Sequence, residues 1–222
     1  MQPKRKIKPG YANLTARIPS EKLRRMVSAE SSLERDFILL LEFNEQVAEY
    51  LEQPITIPLN GGGSYTPDFL VKYSRYGGLS DIVIYEVKYR SELAKKFTQL
   101  KPKFKAAIHY CKQQGYRFKL ITDKEIRTDK LKNIEFLQHV SRTVSHSEAA
   151  FRDALSRALL ELKSATPNEL LVFAFSSQLK RAEAIPIMWR MVADGSIKVD
   201  LNTPLTMKSQ LELCPEVEER LW

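Results

Sequence analysis

The chain has 222 residues, 43% hydrophobic and 28% charged, with a formal net charge of +8, enough apolar material for one sizeable core or two small ones. No apolar run approaches the roughly 18 residues a membrane span requires, and the basic N-terminus lacks the apolar core of a secretory signal, so a soluble cytoplasmic protein is expected. Two cysteines, Cys111 and Cys214, and three histidines, His109, His139 and His146, show no zinc-ligand spacing, and the thiols read as buried or idle rather than bridged.

The positive charge is concentrated. Residues 1–30 hold eight Lys or Arg against two Glu, and residues 88–132 hold fourteen against four acidic residues. That distribution points to a polyanion as partner, against the alternative of a generic basic surface. Met1 to Pro19 is basic and broken by Pro3, Pro9, Gly10 and Pro19, and reads as an extended arm ordered on a partner. A helix is predicted from Ser31 to about Glu49, because Leu33, Phe37, Leu40, Leu41 and Val47 keep helical spacing. Glu34 has two readings within it. Ser31 followed three residues later by Glu34 is a capping box, which the local pattern favours; alternatively Glu34 points at a site from the helix.

Gln53 to Leu59 alternates as a strand, and Gly61-Gly62-Gly63 turns the chain into a predicted hairpin. Its strands carry Phe69, Val71 and Tyr73, then Ile82 to Tyr85 and Val87, with Gly77 and Gly78 between, the branched and aromatic residues that favour a pleated surface. Side chains two apart share a face, so Glu86 and Lys88 point one way and Val87 the other. Strand pairing brings Asp68 alongside, giving two carboxylates and an amine that suit a divalent metal held through oxygen. Pro67-Asp68 followed by Glu86-Val87-Lys88 is the PD-(D/E)xK pattern. The bland alternative is a solvated hairpin edge with an E-x-K pair, but charge ending an almost uncharged strand has no packing purpose.

A long lysine-rich helix is predicted from Ser91 to about Gln114, with Leu93, Phe97, Leu100, Phe104, Ile108 and Tyr110 as its packing side and Pro102 bending or dividing it. Tyr116 to Thr122 alternates as a strand, and a short helix follows near Leu131 to Gln138. Helix, three strands, long helix, strand and helix make an α/β sandwich.

The runs Leu33-Glu34-Arg35-Asp36-Phe37, Leu41-Glu42-Phe43, Glu52-Gln53-Pro54, Tyr65 to Val71, Glu86-Val87-Lys88 and Ile121 to Ile126, in this order, resemble TnsA, the endonuclease subunit of heteromeric transposases of Tn-seven-like elements, including CRISPR-associated ones. The resemblance implies a restriction-endonuclease-like fold and Mg2+-dependent cutting of double-stranded transposon ends, with one or two Mg2+ and Mn2+ as a substitute. It makes Glu34, Asp68, Glu86 and Lys88 the catalytic set, with Glu34, Asp68, Glu86 and the carbonyl of Val87 as metal ligands. Some members of the family carry Gln where this chain has Glu86. The family cuts the 5′ strands while a DDE-type partner, TnsB, processes the 3′ ends, and an ATPase regulator, TnsC, is a further partner. Lys95, Lys96, Lys101 and Lys103 on the long helix are then candidate DNA contacts.

Beyond a polar boundary at Ser141 to Ser147, dividing domains 1–142 and 147–222, Phe151, Ala154, Leu155, Ala158, Leu159 and Leu162 form an amphipathic stripe. Thr166-Pro167-Asn168-Glu169 caps a second helix, Ser177 to Ala184 a third, and Pro186 opens a fourth. Ile197 to Leu201 and Leu205 to Met207, after Asp194-Gly195, supply a two-stranded wing. Helices followed by a hairpin predict a winged-helix-like module with Lys180, Arg181, Arg190 and Lys198 as candidate DNA contacts. Ile187, Met188, Trp189 and Met191 in its last helix suit core packing or protein docking as well, with the acidic tail ending Leu221-Trp222 docking on TnsB or TnsC. Two other functions stay open, a free-standing PD-(D/E)xK restriction or repair nuclease and a non-catalytic DNA-binding scaffold.

Overall fold

The computed structural model describes residues 16–74, 80–141 and 148–219. Most of the expected N-terminal arm, the Gly77-Gly78 turn, the polar boundary 142–147 and Leu221-Trp222 lie outside the described residues. Contacts divide the chain into Met1–Arg127 and Thr128–Trp222, earlier than the expected boundary, so the helix after Thr128 belongs to the second unit.

The first unit opens with strands β1 (Ala16–Ser20) and β2 (Arg25–Ala29), an antiparallel hairpin where an arm was expected up to Pro19. Helix α1 (Ser32–Phe43) follows, capped by the Ser31 hydroxyl accepting from the Glu34 N–H. It is shorter than predicted: Asn44 is extended, and Val47 opens β3 (Val47–Glu52) instead of a last helical turn. Val47, Tyr50 and Leu51 are buried there, because their shapes suit a strand. The strand expected over 53–59 is reduced to β4 (Ile57–Pro58), which pairs with β5 (Ser64–Tyr65) across the glycine turn.

Strands β6 (Phe69–Ser74) and β7 (Ser80–Lys88) form the expected hairpin in the register Phe69 to Tyr85 and Val71 to Val83. Helix α2 (Arg90–Gln114) leads to β8 (Arg117–Thr122), which pairs in parallel with β7, and the sheet order is β3-β6-β7-β8. A parallel neighbour requires a crossover, which α2 supplies. On one face Phe37 of α1 packs at 5.4 Å on Phe69 and 5.1 Å on Tyr85. On the other, Leu70 and Ile84 meet Cys111 of α2.

Pro102 stays inside α2 without dividing it; it is exposed, so the carbonyl it frees a turn earlier can be solvated. Leu100, Phe104, Ala107 and Cys111 are the buried side of α2, whereas Phe97 and Ile108, expected to pack, are 51% and 54% exposed. The unit ends in α3 (Asp123–Ile126), started by a capping box between Thr122 and Glu125.

The second unit runs α4 (Asp129–Ser141), α5 (Glu148–Leu162), β9 (Ser164–Ala165), α6 (Pro167–Ala174), α7 (Gln178–Ala193), β10 (Ile197–Lys198), β11 (Leu211–Leu213) and α8 (Pro215–Glu218). Thr166 and Glu169 form the capping box expected for α6. The predicted third and fourth helices are one, because Pro186 lies within α7 on its exposed side. The expected wing partner at 205–207 is not a strand. Instead β10 pairs with β11, and β11 with β9, in an antiparallel sheet of order β10-β11-β9. The loop from β10 to β11 is pinned from α4: Asn133 Nδ2 donates to the carbonyls of Leu201 at 2.8 Å and Thr203 at 2.7 Å, and its Oδ1 accepts from the Leu205 N–H at 3.1 Å.

Candidate active site

Asp68 immediately precedes β6, while Glu86 and Lys88 end β7, so strand pairing delivers all three to one place. Lys88 Nζ lies 3.2 Å from Asp68 Oδ2 and 3.0 Å from Glu86 Oε1, and donates to the Val87 carbonyl at 3.0 Å. The Val87 N–H donates to Asp68 Oδ2 at 2.7 Å, and the Val87 side chain is buried on the opposite face, as the strand period requires. Glu86 is 3% exposed, and its Oε2 accepts from the Tyr65 hydroxyl at 2.5 Å. Behind Asp68, its own carbonyl accepts from the Gln53 N–H at 2.8 Å, and Gln53 adopts a left-handed φ of 45° to present it.

Glu34 lies on the first turn of α1 within the field of this cluster, where the charge on Asp68 acts on it. Ser31 caps the helix, but the Glu34 carboxylate turns elsewhere than to the Ser31 N–H that the expected capping box requires. Its Oε1 accepts from the Ser31 hydroxyl at 3.0 Å and its Oε2 from the Glu30 N–H at 2.8 Å. Burial and then the nearby Asp68 charge push the Glu34 and Glu86 carboxyls each up to about 7. Burial also raises Asp68, against the pull of Lys88. Burial works against the charge on Lys88, yet Asp68 and Glu86 outweigh it and hold the ammonium above its ordinary value. Two carboxylates on one ammonium, with a third in their field, form a half-buried cluster that favours taking up protons or a cation, the condition found at functional sites.

The donor set is carboxylate and carbonyl oxygen, which suits a hard cation such as Mg2+ and not zinc. Among the described residues no group of three or more His, Cys, Asp or Glu is gathered closely enough to cage a metal as it stands. Lys88 Nζ, between Asp68 and Glu86, marks where positive charge is favoured.

The predicted DNA contacts divide sharply. Lys95, Lys96 and Lys101 are exposed on α2 and Lys103 is half-buried; Lys96 is paired with Glu92 at 3.4 Å. In the second unit Lys180 and Lys198 are exposed. Arg190 is not available to DNA: it is 7% exposed, with Nη2 in ion-pair range of Glu148 Oε2 at 3.0 Å, although neither Nη2 nor Nε makes a hydrogen bond of good geometry. Arg181 is also engaged, its Nε donating to the Phe175 carbonyl at 2.6 Å and Nη2 to that of Ser176 at 3.3 Å, which closes the end of α6. Sequence reasoning missed Tyr65, although it stands three residues before Asp68 in the run that carried the resemblance.

Two carboxylates and a lysine converge at the ends of adjacent strands, in a mixed sheet covered by helices, and two matching family models supply the class, an endonuclease. The particular family follows from the same two adjoining models: TnsA-like endonuclease N terminal matches residues 42–123, and TnsA endonuclease C terminal matches residues 125–201. The chain belongs to the TnsA family and is a transposase endonuclease subunit. A comparison with curated proteins finds no match. Among the described residues no helix is long and apolar enough to cross a membrane.

Proposed function

We propose that this chain is the Mg2+-dependent subunit that cuts the 5′ strands at the ends of a Tn-seven-like transposon in the cytoplasm, while a TnsB-type partner processes the 3′ ends under a TnsC-type regulator. The observation that carries the reading is the placement of Lys88 Nζ within 3.2 Å of Asp68 and 3.0 Å of Glu86 in a chain matched by both TnsA models.

Asp68, Glu86, Glu34 and the Val87 carbonyl would hold the cation, which when bound polarises the phosphodiester and acidifies a water. Lys88 supplies an ammonium to the negative charge that grows on the phosphoryl oxygens. Tyr65 fixes the Glu86 carboxylate from behind, and the Val87 N–H fixes that of Asp68. Water attacks phosphorus and the ester bond breaks, with no covalent intermediate on the protein.

Within the second unit the run from α5 to β11, helix, strand, two helices, strand, loop and strand, supports a winged-helix reading. With Arg190 and Arg181 committed internally, and Leu179, Glu183 and Pro186 exposed along α7, the reading favours docking to protein over insertion into a groove.

Strand-specific cleavage of labelled transposon-end DNA in Mg2+, with and without the TnsB-type partner and beside Asp68→Ala, tests the function. Cuts on the 5′ strand that need the partner and vanish in the variant are expected. Equal cutting of unrelated DNA by the chain alone would put a free-standing nuclease in its place.

A further inference from the structure

Glu34 stands apart from its three companions. They lie on the sheet, whereas it rides on the first turn of α1, and like charge on Asp68 acts to push that turn away. What opposes this push is a set of contacts with no role in the chemistry above. Arg127, at the end of α3, donates Nε to Asp36 Oδ2 at 2.8 Å and Nη2 to Ser32 Oγ at 2.9 Å and to the Tyr89 hydroxyl at 3.2 Å. Ser32 Oγ and the Tyr89 hydroxyl are themselves 2.9 Å apart, and the guanidinium lies 5.4 Å from the centre of the Tyr89 ring.

Ser32 and Asp36 are four apart on α1, so one side chain can grip both. Asp36 is 3% exposed and its two oxygens are shared: Arg35 holds Oδ1 at 2.6 Å from within α1, so Arg127 on Oδ2 is the partner that ties the helix to another element. Tyr89 directly follows Lys88 and is the N-cap residue of α2. The far end of the grip is anchored too, since the Thr122 and Glu125 box starts α3 and Asp123 Oδ1 accepts from the Arg90 N–H at 2.7 Å. One guanidinium therefore ties together the turn that carries Glu34, the residue after Lys88, and the end of the β8-α3 segment.

We propose that Arg127, acting through Ser32, Asp36 and Tyr89, is a positioning residue that holds Glu34 at its working distance from Asp68, Glu86 and Lys88. It rests on the endonuclease reading only for what that distance serves. Its side chain is 40% exposed, so a direct contact with a DNA phosphate is the competing role, and the two differ in kinetics.

The test uses the full chain as Tyr89→Phe, which removes one hydroxyl and keeps the ring, and as Arg127→Gln and Arg127→Lys. On transposon-end DNA with the partner, kcat is expected to fall roughly tenfold in Tyr89→Phe and further in Arg127→Gln, with KM for DNA unchanged. Arg127→Lys does not rescue, because an ammonium lacks the planar fork. Calorimetric titration with Mg2+ alone weakens in the same order. Amide hydrogen exchange quickens together at residues 30–36 and 87–92, a readout that needs no cleavage. A raised KM and altered salt dependence with kcat intact would assign Arg127 to the phosphate backbone and overturn the proposal. Unchanged exchange in both segments overturns it as well. If the unsubstituted chain never cuts, the endonuclease reading fails, while the exchange data still decide whether the grip exists.

Discussion

Each of the two units holds a cluster of charge, and the two clusters are built in opposite ways. In the first, Asp68 and Glu86 share the single Lys88 ammonium with Glu34 in the field of Asp68, and burial with mutual repulsion lifts Glu34 and Glu86 to about 7. In the second, Glu148 lies 3.3 Å from Arg152 and 3.0 Å from Arg190, and Arg152 reaches Asp194 at 2.6 Å, so two guanidiniums meet two carboxylates. Arg190 foremost holds the Glu148 carboxyl below the usual range. Balanced charge is what a structural network needs, whereas an unbalanced cluster costs stability and persists for what it binds or does. The contrast separates site from scaffold inside one chain.

The largest effect expected from breaking the contrast is on cleavage. Asp68→Ala or Lys88→Ala should lower the cutting rate by roughly a hundredfold or more in a gel assay of transposon-end DNA, with circular dichroism unchanged. Retained Mg2+-dependent cleavage in either variant would falsify the assignment of the site. The counterpart in the second unit is Glu148→Gln, which leaves Arg190 buried without its charge partner. Urea unfolding should then show a loss of roughly 2 kcal/mol, less than for a fully buried pair because Glu148 is 23% exposed; DNA cutting by the folded protein should persist. A stability loss below experimental error would mean that Arg190 is satisfied some other way.

Asn133→Ala comes next. It removes three hydrogen bonds to the β10-β11 loop, and an expected cost of roughly 1–3 kcal/mol should appear with faster amide exchange in residues 199–205. Normal protection there would show that the loop holds itself.

The smallest effect is the response to pH, and its sign differs between units. Folded Glu34 and Glu86 bind protons near 7, well above the ordinary 4.5. Between those values the folded state holds more protons, so stability of the first unit rises as pH falls through 7 towards 4.5. Glu148 is lowered, so its contribution is fully present above the ordinary value and is lost as pH falls through the depressed one. Hydrogen exchange from pH 8 to 4, resolved by segment, should show protection growing in residues 68–74 and 80–88 as pH is lowered. Parallel behaviour of both units would remove the electrostatic contrast.

Much of this was written locally. The period of two in β6 and β7 places Glu86 and Lys88 together and Val87 opposite them, and the hairpin register then leaves little choice about Asp68. Capping residues announced the starts of α1 and α6, since a cap is satisfied by its own next turn. The end of α1 was misjudged because Val47 suits a helical stripe and a strand alike, and its pairing with Tyr73 of β6 decided for the strand. Pro186 looked like a helix start, yet an exposed proline can sit within α7. Arg190 looked like a DNA contact for the same reason any arginine in a basic chain does.

By itself, then, the sequence determined the β6-β7 hairpin, the long α2, the starts of α1 and α6 and which residues carry the acidic and basic chemistry, because periodicity and capping act over a turn or two of chain. Tertiary structure alone decided how those residues are held. The Tyr65 hydroxyl on Glu86 joins positions 21 apart, and Arg127 on Asp36 joins positions 91 apart. It also chose β11 over residues 205–207 as the partner of β10, and buried Arg190 beside Glu148. No local pattern encodes such pairs, since their energy exists only after the chain has closed the loop between them.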